Sequence, residues 1–516
     1  VALVVHAWTY DFITDDAYIS FVFARNFAEH GELSFNLGSP VEGYTNFLWT
    51  LVLGLGMVVG LDPGWTARVL GAACALGTLA VVTATARRVV GPGPWAVVPA
   101  LLLAASAGFA CWTSGGLETQ LFTVLVTVAL DAVVAAAASP RALRRAGVAL
   151  ALAAMTRPEG PMVAAVLGAA HLVIRGLDRR AGAAPRGWRA EIVAAAWFVA
   201  LWAPWFAWRW WYYGWPFPNT YYVKATGPWA SPDMPGQMLA NGAYYVWCWA
   251  RQTGVVLALP LAAIGLAARA RTPRRAVAIA AGAFAVVYLV YTVAVGGDFM
   301  GLHRFIMPVF VVAALAIGLG AARLARWAGR PLAGLAIGGA LVGWFAVSQL
   351  ALTRASLRWG NFAADHGIDT PAFLIAYTED RAAIGRAMAG CFRADDFSIV
   401  GGAGAQPYFG RMRGVDVFGL VSERIAHAEP RVRPRAGHTK FGADAVLASY
   451  DPTFVFSCYQ LHPTPAPPPL PCDVGFWRAR GYAPVTLHIP GLRERGTYYT
   501  FLAKTARDLQ CPGRVR

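Results

Sequence analysis

The feature that most constrains this chain is a series of apolar runs of about twenty residues, recurring from the start of the sequence to about residue 350. VLGAACALGTLAVVTATA, WAVVPALLLAASAGFACW and FIMPVFVVAALAIGLGAA are examples. Each is long enough as a helix to cross roughly 30 Å of hydrocarbon. A soluble domain has no use for so many, and with 57% hydrophobic and only 14% charged residues the chain reads as a polytopic membrane protein. After Leu350 come NFAADHGIDT, FRADDF, RVRPRAGHTK and PTPAPPPLP, whose mixed composition and turn residues predict a water-soluble region. The division expected is 1–352 in the membrane, with a first exoplasmic loop at 11–65, and a soluble mixed α/β domain over 353–516.

The net charge of +16 is concentrated in gaps between apolar runs, which fits membrane orientation and not nucleic-acid binding. The gaps hold Arg87/Arg88, RALRR (141–145), RGLDRRAGAAPRGWR (175–189), RARTPRR (269–275), and Arg323, Arg326 and Arg330. Placing all five in the cytoplasm predicts spans near 66–88, 93–112, 118–138, 144–156, 158–175, 190–212, 241–268, 274–295, 304–323 and 331–351. VALVVHAWTY is too short to cross and reads as part of a first, uncleaved helix, giving about eleven spans. That odd count puts the N-terminus inside and the C-terminal domain on the exoplasmic side of a bacterial plasma membrane, the periplasm. FLWTLVLGLGMVVG (47–60) would break the alternation and is too short to cross, so it is predicted to lie along the outer leaflet with Trp49 and Trp65 as anchors.

With this orientation the unusual polar residues fall on the outer side: Asp15, Asp16, Arg25, Asn26, Glu42, TSGGLE (113–118), TRPEG (156–160), YYGWPFPNTYYVKATG (212–227) and GGDFMGLHR (296–304). Ionisable groups at membrane depth are costly unless they pair or line a cavity, so Glu118, Arg157, Glu159, Lys224, Asp298 and Arg304 predict one shared polar site. Thr14 is placed to cap a helix whose first turn holds Asp15 and Asp16, and Ile19, Phe23 and Phe27 share one face of it, a pattern for an amphipathic helix on the membrane surface. A carboxylate there can also serve as a general base toward a hydroxyl.

Of seven cysteines, Cys391, Cys458, Cys472 and Cys511 fall in the exported tail, where an even number allows two disulfides, with Cys458 and Cys472 the preferred pair. No spacing predicts a zinc site; a divalent metal requirement is left open. Asp178, among arginines, reads as a charge partner, and GGAGAQP lacks the spacing of a phosphate loop. FSIVGG and TFVFSCY are predicted strands.

Taken together, DDAYISFVFARNFAEHGELSFNLGSPVEGYTNFLWT, TSGGLET, TRPEG, YYGWPFPNTYYVKATG, GGDFMGLHRFIMPVF, VDVFGLVSERIAH and GHTK resemble the GT-C glycosyltransferases, and more narrowly the terminal β-1,2 arabinofuranosyltransferases of arabinan-containing cell walls. The resemblance implies a GT-C fold with amphipathic juxtamembrane helices in the first exoplasmic loop. It also implies inverting transfer of a sugar, a pentofuranose such as arabinofuranose or a hexose, from a polyprenyl-phosphate donor to a polysaccharide, glycolipid or other envelope acceptor. Carried over by position, Asp15 is the base and Asp16 assists or positions the acceptor. Arg304, Lys224, Arg157 and His303 are candidates for the donor phosphate; Glu118, Asp298, Glu159, Asn219, Tyr222, Glu42 and His438 are candidates for substrate binding. The competing classes are a transporter or flippase for lipid-linked sugars, which internal repeats and midplane polar groups would favour, and a non-catalytic assembly factor.

Overall fold

The computed structural model describes residues 1–184, 186–268, 272–329, 331–358, 368–493 and 495–515. Parts of four expected features therefore lie outside the described residues: 185, 269–271 and 330 of three Arg-bearing gaps, and 361–367 of the turn-rich segment after the last apolar run.

The chain is a helical membrane protein with a C-terminal region built around a small mixed sheet. Among the described residues six helices are long and apolar enough to cross a bilayer, and eight if each of two bent pairs counts as one span. Eleven were expected, and the shortfall has a local cause. The 118–138 and 144–156 runs form the shorter helices Thr119–Ala135 and Leu143–Thr156, the second only about 21 Å long at 1.5 Å per residue. The 241–268 run is two helices, Met234–Gln252 and Val255–Leu266, meeting at 82° where Gly254 takes a left-handed φ of 65°. The 93–112 run bends by 63° at Ser106, whose extended backbone ends one helix while its side chain caps the next.

Helix starts follow local chemistry. Asp62 accepts a hydrogen bond from Trp65 N–H with Pro63 at the first helical position, and Thr272 with Pro273 repeats the device. Close helix approach uses small residues: at Gly147 a β-carbon would collide with the Ala194 carbonyl of the neighbouring helix Arg189–Tyr213.

The basic gaps meet at one end of the helices. Arg88 and Arg145 both pair with Asp131, at 3.0 and 3.6 Å, and Arg186 donates to the Ala136 and Ala137 carbonyls. Arg275 pairs with Asp178, while Arg274 and Arg323 donate to the Gly265 and Ile264 carbonyls. The Asp178 partner expected from its arginine neighbourhood is thus Arg275.

In the C-terminal region, strands β1 (Ser398–Val400), β2 (Gly414–Asp416), β3 (Phe454–His462), β4 (Tyr482–His488) and β5 (Tyr498–Lys504) order as β2-β1-β3-β5-β4. β1 is parallel to β2 and β3, and β5 is antiparallel to β3 and β4. FSIVGG and TFVFSCY supply β1 and β3. Disulfides join Cys391 to Cys511 and Cys458 to Cys472.

Helix Asp15–His30 lies between the membrane helices and this region. Its polar side, expected to face outward, is covered: Arg25 donates to the Tyr408 carbonyl at 2.7 Å and Asn26 to the Ser34 and Phe35 carbonyls. Thr14 occupies the N-cap position, but its hydroxyl makes no capping bond and turns toward Met300 Sδ. Helix Phe47–Val58 is too short to span, as expected, yet Trp49 is no interface anchor: it is buried, and its indole donates to the Gly116 carbonyl at 3.1 Å. Trp65 is exposed.

Candidate active site

Away from the basic gaps lies a cavity of about 610 Å³. Its charged walls are four acids, Asp16, Glu118, Glu159 and Asp298, and four bases, Arg157, Lys224, Arg304 and Arg431. Loops far apart in sequence thus converge on one space, which is what the cost of scattered ionisable groups near a membrane favours.

The bases differ in what already occupies them. Arg157 is clamped by Glu159 at 2.9 Å and Glu118 at 3.2 Å, and Glu118 also accepts from Asn46. Arg304 donates from Nε to Asp298 at 2.7 Å and approaches Asp16 at 3.8 Å. Arg431 lies over the Trp229 ring at 4.0 Å. Lys224 is accessible in the cavity, and among the described residues no carboxylate comes within ion-pair reach of it. A lysine in that state offers a compact point charge to an incoming anion, and Arg304 adds a planar fork.

The acid pair is split. Successive helical residues point about 100° apart, so Asp16 faces the cavity while Asp15 faces the C-terminal region. Asp15 Oδ1 accepts the Ala405 N–H at 2.8 Å, and Gly404 has no room for a β-carbon against Asp15. The loop GGAGAQP, not a phosphate loop by spacing, is the seat of this carboxylate. Burial, reinforced by Asp16, pushes the Asp15 carboxyl up to about 6 against the opposing Ala405 N–H and Arg381. Burial also raises Asp16, opposed by Arg304 and Lys224.

Several residues expected at the site lie elsewhere. Glu42 is buried in an ion pair with Arg209, and Asn219 donates to the Gly419 and Leu420 carbonyls, so both hold the scaffold. Tyr222 turns away to pack against His427, with ring centroids 4.1 Å apart, leaving Tyr221 on the cavity wall. His303 is buried with Nε2 on Gln252 at 2.9 Å, and it is off the wall that its neighbour Arg304 lines. His438 is wedged edge-on between Phe299 and Phe418; burial, aided by Arg435, pushes it down to about 3, leaving it neutral. Glu118, Asp298, Glu159, Lys224, Arg157 and Arg304 do line the cavity.

Sequence reasoning missed Arg431 and Asn46. RVRPR stands in the sequence only as part of a turn-rich segment, and Asn46, itself uncharged, acts through Glu118. Among the described residues no group of three or more His, Cys, Asp or Glu side chains is placed to hold a metal ion.

A set of membrane helices, a polar cavity and a C-terminal sheet region, with an acid-bearing helix at Asp15–His30, make up the fold. The fold is shared with ArnT from Cupriavidus metallidurans: the crystal structure bound to undecaprenyl phosphate matches with a TM-score of 0.59 and 18% identity, over 97% of this chain and 96% of that one. The apo crystal structure matches at 0.54 and 16% over the same shares. At these identities the likeness is one of fold. No protein-family model and no curated protein matches the chain.

Proposed function

We propose that this protein is an inverting glycosyltransferase that moves a sugar from a polyprenyl-phosphate donor to a hydroxyl of a cell-envelope glycan or lipid. The observation that carries the reading is Lys224, an accessible ammonium without a carboxylate partner among the described residues, in a large cavity beside Arg304. Such a pair invites a phosphate, and the ArnT structure of the same fold is bound to undecaprenyl phosphate. The resemblance to arabinofuranosyltransferases favours arabinofuranose as the sugar.

Asp15 acts as the base. Inversion needs the base across the anomeric carbon from the leaving phosphate, and Asp16 lies on the side of the phosphate cations, 3.8 Å from Arg304. Asp15 is held by a backbone N–H and poised to ionise near neutral pH. The acceptor O–H gives its proton to Asp15 and its oxygen bonds to the anomeric carbon. The bond from that carbon to the phosphate oxygen breaks, and its electron pair leaves with polyprenyl phosphate. Asp16 and Asp298 orient Arg304 and accept from sugar hydroxyls; Lys224, Arg304 and Arg431 stabilise the charge that grows on the leaving group.

On this reading the site opens on the exoplasmic side of a bacterial plasma membrane, the Arg gaps are cytoplasmic, and residues 353–516 are a periplasmic domain that completes the cavity through Arg431, Gly437 and Thr439. The test is product analysis by the full chain in lipid nanodiscs, supplied with synthetic polyprenyl-phosphate arabinofuranose and, separately, a polyprenyl-phosphate hexose. Loss of product in Asp15→Asn is expected. Unchanged product in both Asp15→Asn and Asp16→Asn overturns the assignment. Cysteine labelling of positions 15 and 88 from the same side of the membrane overturns the orientation.

A further inference from the structure

Leu302 and His303 both take left-handed backbone, at φ 55° and 61°, in the turn Gly301–Ile306 that carries Arg304 to the cavity. That conformation is costly for residues with a β-carbon, and two in succession persist only where the surroundings hold them. Both side chains are buried, Leu302 in the apolar core and His303 on Gln252. The turn is gripped along its length. The Trp112 indole donates to the Gly301 carbonyl at 3.0 Å, and the Leu302 carbonyl packs where Gly108 has no side chain, 2.5 Å from where a β-carbon would stand. Just past Arg304, the Phe305 N–H donates to the Tyr245 hydroxyl at 3.4 Å and the Phe305 carbonyl accepts from Tyr288 at 3.1 Å.

The groups that hold His303 come from the breaks in the two bent helix pairs. Gln252 is the last residue of Met234–Gln252, before the 82° bend, and Ala107 is the first helical residue after the 63° bend at Ser106. Helix ends leave backbone carbonyls and N–H groups without intrahelical partners, and Gln349 bridges one of each. It donates to the Gln252 carbonyl at 3.0 Å and accepts the Ala107 N–H at 3.2 Å. Gln252 is thereby anchored, and its side-chain oxygen accepts from His303 Nε2 at 2.9 Å. Trp112, on the helix that Ala107 begins, has its ring centroid 5.6 Å from the Arg304 guanidinium carbon.

We propose that the chain His303–Gln252–Gln349 is a positioning device for Arg304, through which the two helix breaks set its guanidinium for the donor phosphate. The inference rests on the transferase reading and deepens the part given there to Arg304. Asp298 holds the Nε end of the side chain, and the strained turn holds its root. His303 stays off the cavity wall, so it acts through its neighbour. A guanidinium fork meets phosphate with two parallel bonds only when its plane is set in advance.

The test uses the full chain in nanodiscs and measures affinity for undecaprenyl phosphate, and separately for inorganic pyrophosphate, in a double-mutant cycle with Arg304→Gln. Gln252→Met keeps the bulk of the side chain and removes the oxygen that His303 bonds; Gln252→Glu retains an acceptor there. Gln252→Met is expected to weaken undecaprenyl phosphate binding roughly tenfold, about 1.4 kcal/mol, and Gln252→Glu to restore it. In the Arg304→Gln background the effect of Gln252→Met should vanish. Asn tolerates left-handed backbone, so His303→Asn removes the imidazole with the turn retained and gives the same reading if Gln252→Met does not fold. Affinity unchanged in these variants, or lowered as much without Arg304 as with it, overturns the proposal and leaves the transferase reading standing. Pyrophosphate binding that follows the expected pattern, while undecaprenyl phosphate fails to bind the parent chain, leaves the positioning role standing and removes the donor reading. Failure of both anions to bind the parent chain overturns both.

Discussion

The carboxylate of Asp15 accepts a 2.8 Å hydrogen bond from the backbone N–H of Ala405, 390 residues later in the chain. The first loop and the C-terminal region are therefore joined at the carboxylate proposed as the base, and on that proposal disturbing the glycine loop should act on chemistry while sparing donor binding.

Gly404→Ala tests that coupling directly. The new β-carbon collides with Asp15, so overpacking of about 1–3 kcal/mol is expected. Turnover should fall at least tenfold while undecaprenyl phosphate still binds. A variant as active as the parent, with the same melting temperature, contradicts the seat described.

The pH profile follows from the same carboxylate. Its acid form is favoured by burial up to about 6, so the ionised base is present above that value and is lost below it. kcat/KM should fall tenfold per pH unit on the acid side of about 6. Glu at position 15 should keep a shifted limb, and Asn should abolish it.

Donor affinity separates the cations. Lys224→Ala removes a charge that makes no ion pair among the described residues, so undecaprenyl phosphate should bind about 10- to 100-fold more weakly with little loss of stability. Arg157→Ala strands two buried acids, Glu118 and Glu159, and should show mainly as a lowered melting temperature.

Glu42→Ala should behave as a scaffold lesion. It leaves Arg209 buried and uncompensated, with an expected cost of about 3–5 kcal/mol. Thermal unfolding reads this; a normal melting temperature with impaired substrate binding would return Glu42 to the site.

The two disulfides differ in loop length, 120 residues for Cys391–Cys511 and 14 for Cys458–Cys472. Chain entropy assigns the longer loop about 5 kcal/mol and the shorter about 3. Cys391→Ser with Cys511→Ser should therefore lower the melting temperature more than Cys458→Ser with Cys472→Ser.

The parts of this protein legible in the sequence are those set by local chemistry. Apolar length and arginine placement gave most of the membrane helices and brought the basic gaps to one end, where Arg88, Arg145 and Arg275 find Asp131 and Asp178. The cost of isolated charge near a membrane pointed to the cavity set of Glu118, Arg157, Glu159, Lys224, Asp298 and Arg304. Residue type could not tell Glu42 from Glu118, since each is an acid in an outer loop and only the neighbour decides: Arg209 closes one into the scaffold, while the other faces the cavity. Tyr221 and Tyr222 differ only by a rotation of about 100° along a helix. The same rotation separates Asp16 on the cavity wall from Asp15 on the glycine loop. Periodicity and hydropathy act over a few residues and so can be read along the chain. Which oxygen meets which backbone N–H across 390 residues is decided only when the helices and the sheet region pack together.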